Sequence, residues 1–134
     1  PGDLRLLLDT HVWLWSLLEP ARLTADVRQA LLEPENELWL SPITIWEVSI
    51  LADRGRLSLD RPVDEWIGNA FDAAPVHEAP LTFQVALDSR RVALPHRDPA
   101  DRFLAATARV FDLTLVTADE RLLELQDVSL LAIR

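Results

Sequence analysis

The chain has 134 residues, 49% of them hydrophobic, with nine prolines, three glycines, no cysteine and a formal charge of −9. This length carries one domain with a real core, and the missing cysteines exclude disulfides, thiolate metal sites and cysteine nucleophiles. All 13 basic residues are arginine, which excludes a P-loop lysine, a Schiff-base lysine and the lysine of a receiver-type phospho-acceptor, while the 22 acids argue against broad charge-driven binding of nucleic acid.

Residues 4–8 are a short apolar run ending at Asp9-Thr10 and read as a buried strand. Asp9 or Thr10 can cap the next helix, over 11–18, which stops before Pro20. A second helix spans 24–32 with Thr24 as its cap, and 37–40 is a second strand. Ser41 then takes the N-cap place and Pro42 the first helical position of a helix running to Asp53 and closed by Gly55. Residues 60–74 are amphipathic, with Val63, Trp66, Ile67, Ala70 and Phe71 on one stripe. A short strand over 76–79, a helix over 82–92 capped by Thr82, and a connecting loop over 94–97 follow. Asp98 begins a helix to Phe111, and 113–116 is a strand ending at Thr117-Ala118-Asp119-Glu120. A short helix and a last strand over 128–133 complete the chain.

Short apolar strands alternating with helices imply a mostly parallel sheet covered on both faces, a three-layer α/β/α sandwich formed by a single domain over 1–134. No repeat or linker interrupts it, and no apolar run reaches the ~18–20 residues of a membrane span. The first residues lack the basic region and cleavage site of a signal peptide, and a start at Pro1-Gly2 without methionine implies processing. A cytoplasmic protein is expected. Ligand sites in such sheets lie beyond the carboxyl ends of the strands, which picks out Asp9 and Asp119.

Each acid has a plain alternative. Asp9 is also a helix cap, and Thr117 with Glu120 makes a capping box that leaves Asp119 incidental. Asp98 and Asp101 occupy N-cap and N3 of one helix, again a capping box when taken alone. Glu47 is harder to dismiss, because it shares a helical face with Ile43, Ile50 and Leu51, and a glutamate is rarely buried without a partner. That partner is an arginine such as Arg54, or a cation. Gathered carboxylates repel one another unless a cation neutralises them, and all-oxygen ligands select Mg²⁺ or Mn²⁺ over zinc. Such ions activate water and stabilise a phosphoryl transition state. His11 and His96 flank two of the acids and read first as ordinary helix-start and loop residues, His77 as structural or exposed. Ser41 and Thr82 are caps rather than nucleophiles, and Trp13, Trp15, Trp39, Trp46 and Trp66 belong to core or interface.

The segments Leu6 to His11, Ser41 to Glu47, Asp98 to Ala108 and Leu115 to Asp119 together resemble the PIN-domain family, in particular the VapC-type ribonuclease toxins of bacterial toxin–antitoxin pairs. The likeness runs essentially the whole chain. It implies that Asp9, Glu47, Asp101 and Asp119 are catalytic acids binding Mg²⁺ or Mn²⁺, so that a metal-activated water attacks the RNA phosphate, with Thr10 and Thr117 as the hydroxyls beside the first and last acids. It also implies a homodimer and a cognate antitoxin that fills a groove. Asp98, close to the third acid, is assigned to the helix cap in a supporting role. Arg97 and Arg102 are the candidates for phosphate contact, against a plain alternative of exposed helix-end arginines. Two other functions compete: a PIN-type nuclease of RNA processing or decay without an antitoxin, and a catalytically silent binding module. The buried Glu47 counts against the second.

Overall fold

The computed structural model describes residues 2–94 and 98–133. Pro95, His96 and the candidate Arg97 of the predicted connecting loop lie outside the described residues, as do Pro1 and Arg134.

Five strands, β1 (Arg5–Leu8), β2 (Glu37–Leu40), β3 (His77–Glu78), β4 (Thr114–Thr117) and β5 (Leu130–Ala132), pair in parallel in the order β3-β2-β1-β4-β5. Seven helices, α1 (Thr10–Leu18), α2 (Ala25–Leu32), α3 (Pro42–Asp53), α4 (Val63–Ala73), α5 (Phe83–Ser89), α6 (Pro99–Val110) and α7 (Glu120–Leu123), cover the sheet. Side chains alternate across a strand, so Leu7 joins a core with Val85, Leu104, Ala105 and Leu115, while Leu6 and Leu8 join another with Val12, Val27, Val48 and Ile67. Those two cores are the two interfaces of the expected three-layer sandwich. Among the described residues no helix is long and apolar enough to cross a membrane.

The strand order positions the site. From β1 the chain moves outward to β2 and β3, then returns across β1 to place β4 and β5 on its other side. The helices leaving β1 and β4 therefore diverge, and a crevice opens at the carboxyl ends of these two neighbours, where open α/β sheets bind ligands.

The predicted helix signals act as expected where side chains supply them. Ser41 Oγ accepts from the Ile43 N–H at 3.1 Å with Pro42 behind it, Thr24 and Thr82 cap α2 and α5, and Asp98 Oδ1 accepts from the Ala100 N–H at 3.0 Å. Gly55, at φ +70°, ends α3, with its N–H on the Ala52 carbonyl and that of Arg56 on Leu51, the left-handed termination that glycine favours. The differences are local. Asp9 rather than Thr10 caps α1, its Oδ1 accepting from the Val12 N–H at 2.9 Å. Helix α4 starts at Val63 because Pro62 holds an extended backbone. Helix α5 stops at Ser89 because the Arg90 and Arg91 amides turn back to Leu87 and Asp88. A 3-10 turn over Pro20–Arg22 had no clear signal. Asp119, not Thr117, caps α7, with its Oδ1 accepting from the Arg121 N–H at 2.9 Å.

One ion pair fastens the α5–α6 layer. Arg109 on α6 donates from Nε and Nη2 to both oxygens of Asp88 on α5, at 2.9 and 2.6 Å, and from Nη1 to Asp127 ahead of β5. The Arg109 and Asp88 side chains are only 18% and 17% exposed. Replacing Arg109 by Leu strands a largely buried carboxylate, so we expect a loss of about 1–3 kcal/mol in urea unfolding. Part of it should return in Arg109→Leu/Asp88→Leu; an unchanged midpoint for Arg109→Leu would refute the role.

Candidate metal-binding cleft

At the β1/β4 crossover lies a cleft of about 390 Å³ lined by Asp9, Thr10, His11, Glu47, Asp98, Asp101, Asp119 and Arg121 among others. It gathers all four predicted acids, and each arrives from a different element. Asp9 ends β1, Glu47 projects from the middle of α3, Asp101 lies in the first turn of α6, and Asp119 follows β4. They converge because the sheet order sets β1 beside β4, while α3 and α6 pack on opposite faces at the same end.

Asp9 is 8% exposed, and both its oxygens are held. Oδ1 caps α1, and Oδ2 accepts from the Thr117 hydroxyl at 2.5 Å across the β1/β4 pair. Burial pushes its carboxyl above the usual carboxylate range, against these hydrogen bonds and the nearby His11, with the charge of Asp119 adding to the rise. Thr117, fully buried, also accepts from the Asp119 N–H at 3.0 Å, so one hydroxyl sets the first and fourth acids together.

Glu47 proves half-buried rather than sealed in the core. Its Oε1 accepts from the Thr10 hydroxyl at 2.5 Å, and Thr10 Oγ1 lies 3.2 Å from Thr44 Oγ1. A hydroxyl has one proton, so with Thr10 donating to Glu47, Thr44 must donate to Thr10. Thr44 is fully buried and escaped the sequence reading, although its place three residues before Glu47 puts it on the same helical face. No arginine forms an ion pair with Glu47 among the described residues, Arg54 included. Burial pushes the Glu47 carboxyl up, the Thr10 bond opposes this, and the charges of Asp98 and Asp101 add to the rise.

Asp98 caps α6, yet its carboxylate also lines the cleft beside Asp101; the cap does not remove it from the acid cluster. Asp119 carries the opposite perturbation. Burial raises its carboxyl, but hydrogen bonds from the side chain and backbone of Arg121 outweigh this and hold it below the usual range. Arg102 donates from Nη1 to the Val92 carbonyl at 2.9 Å and from Nη2 to that of Leu94 at 3.0 Å, bracing the segment before α6. Arg121 was missed in the sequence because a lone arginine two residues after an acid has no distinguishing pattern. Among the tryptophans, Trp13 is buried whereas Trp46 is 53% exposed.

Oxygen donors, one buried and one half-buried acid with raised carboxyls and the absence of cysteine suit a hard divalent cation. Among the described residues no three His, Asp or Glu side chains form a ready-made metal cage.

The fold is a parallel α/β domain with an acid-lined cleft at its topological switch point. Comparison with known proteins names the family: the PIN domain family model matches residues 6–128, and the chain belongs to that family. It is 39% identical over 120 residues to Ribonuclease VapC22 of Mycobacterium tuberculosis, covering 87% of this chain and 88% of that one. Its fold matches VapBC2 from Rickettsia felis bound to a promoter DNA fragment, with a TM-score of 0.72, 14% identity and coverage of 98% and 100% of the two chains. DNA-bound VapBC from Salmonella typhimurium matches with a TM-score of 0.71, 17% identity and coverage of 96% and 98%.

With no cation bound, the Glu47 carboxylate is desolvated and repelled by its neighbours. Glu47→Gln should therefore keep the metal-free protein folded with its Tm unchanged or raised by about 1–3 °C. Unfolding of this variant would show that Glu47 is a structural hydrogen-bond partner instead.

Proposed function

We propose that the chain is a metal-dependent endoribonuclease acting as the toxin of a toxin–antitoxin pair. The carrying observation is the convergence of Asp9, Glu47, Asp101 and Asp119 on one cleft at the β1/β4 crossover, in a PIN-domain chain that matches a VapC ribonuclease over most of its length. These four carboxylates would hold Mg²⁺ or Mn²⁺, which when bound supplies an activated water and offsets the charge gathering on the phosphoryl group. Thr117 holds Asp9 against rotation, and the Thr44–Thr10 pair does the same for Glu47. Asp98 fixes the start of α6 and so the height at which Asp101 stands. The cation also answers the electrostatic problem of the sequence, since a chain of charge −9 has little positive surface of its own to draw RNA.

The partner we propose is a cognate antitoxin, in keeping with the VapBC complexes whose toxins share this fold. A homodimer is supported by apolar surface on α5, where Phe83 is 92% and Leu87 66% exposed one turn apart. Both readings place the protein in the cytoplasm, where RNA and antitoxin are met. Phe83→Asp should convert a dimer to a monomer in sedimentation equilibrium; a monomeric wild type would refute the dimer alone.

Cleavage of RNA with and without Mg²⁺ or Mn²⁺ tests the enzyme. Asp9→Asn and Asp101→Asn should each lower the rate by at least about 100-fold and lose the metal-induced rise in Tm that the wild type shows. Metal-independent cleavage, or full activity in both variants, would sink the mechanism. Growth arrest on expression that Asp101→Asn and a co-expressed antitoxin each relieve distinguishes a toxin from a nuclease of RNA processing.

A further inference from the structure

Five carboxylate residues line the cleft, Asp9, Glu47, Asp98, Asp101 and Asp119, and among its described lining residues Arg121 carries the one guanidinium. Arg121 meets Asp119 as a two-point fork, Nε to Oδ1 at 3.3 Å and Nη2 to Oδ2 at 3.2 Å. It does so from the four-residue helix α7, where the fork on Asp119 fixes its side chain. The charges of Asp101 and Asp98 also act on it. Its side chain is 53% exposed, which leaves the guanidinium at the mouth of the cleft with its remaining N–H donors toward solvent. An exposed pair of this kind is weak and readily exchanged.

Resting on the nuclease reading above, we propose that Arg121 is the residue that grips the RNA backbone phosphate, parked on Asp119 until a divalent cation claims that carboxylate. A guanidinium cannot lose its proton, and its fork fits two phosphate oxygens as it fits a carboxylate. A cation held by Asp119 would repel the Arg121 guanidinium and release its fork for the phosphate of an incoming RNA. The exchange makes Arg121 a competitor of the metal in the RNA-free protein and an ally of the substrate in the complex. Arg102, the sequence's candidate for that contact, directs its guanidinium to the Val92 and Leu94 carbonyls instead.

The two halves of the proposal predict changes of opposite sign. In the RNA-free full chain, calorimetric titration with Mn²⁺ should show Arg121→Gln binding about two- to fivefold tighter than wild type, with Arg121→Lys close to wild type. At saturating Mn²⁺, Arg121→Gln should raise KM for RNA about tenfold with kcat within about threefold, and Arg121→Lys should fall between. Weaker Mn²⁺ binding by Arg121→Gln would overturn the proposal, because Arg121 would then serve only to orient Asp119; an unchanged KM would overturn it equally. A wild type that binds Mn²⁺ but cleaves no RNA would end the nuclease reading instead. Arg121 would then be judged by Mn²⁺ titration and RNA anisotropy, where tighter ion and weaker RNA binding by Arg121→Gln sustain the proposal and any other pair of results ends it.

Discussion

Asp9 stands where two demands on one carboxylate meet. As the last residue before α1 it must satisfy the open amides of a helix start, and as the neighbour of Thr117 it must accept a hydroxyl from the adjoining strand end. Meeting both fixes its rotamer at the lining of the cleft. The cost is burial of an anion, and the fold bears it at a position enclosed by Leu8, Val12 and Val116. The same hydroxyl orients Asp119 through its backbone, so the spacing of the first and fourth acids follows from the pairing of β1 with β4.

The second acid is held by the same kind of device from another direction. Thr44 and Glu47 face one way from α3, and Thr10 reaches them from the start of α1, so three hydroxyls, of Thr117, Thr10 and Thr44, set two carboxylates without introducing a positive charge. Arginine is used elsewhere. Arg109 ties α6 to α5, and Arg102 braces the chain entering α6. Both stabilise the helix that carries Asp101.

Much of the fold was legible because its signals are local. Caps at Ser41, Thr24, Thr82 and Asp98, the glycine stop after α3 and the apolar runs of β1 and β4 each depend on a few adjacent residues. The acids were legible because strand ends and one glutamate on an apolar face are visible in a single line of sequence, and the resemblance joined them. What stayed hidden is non-local or ambiguous. Helix α6 ends with Asp112 at φ 54°, its amide on the Arg109 carbonyl and that of Leu113 on Ala108, a glycine-like stop made by an aspartate. Thr117 looked like the cap of α7 with Asp119 incidental, and only backbone geometry gives the cap to Asp119. Thr44 gains its meaning from Thr10, 34 residues away, and Arg121 gains its meaning from acids on other elements.

The strand order also sets when the cleft comes into being. The hydroxyl partner of Asp9, Thr117, lies 108 residues later in the chain, and β1 remains without its β4 neighbour until that residue is made. Since long-range parallel pairing forms slowly and domains fold as units during synthesis, a ribosome-bound chain carries its first two acids long before the other two can join them. Completion of the cleft thus waits until β4 has been translated, and a chain that stops before it cannot display the full set of acids.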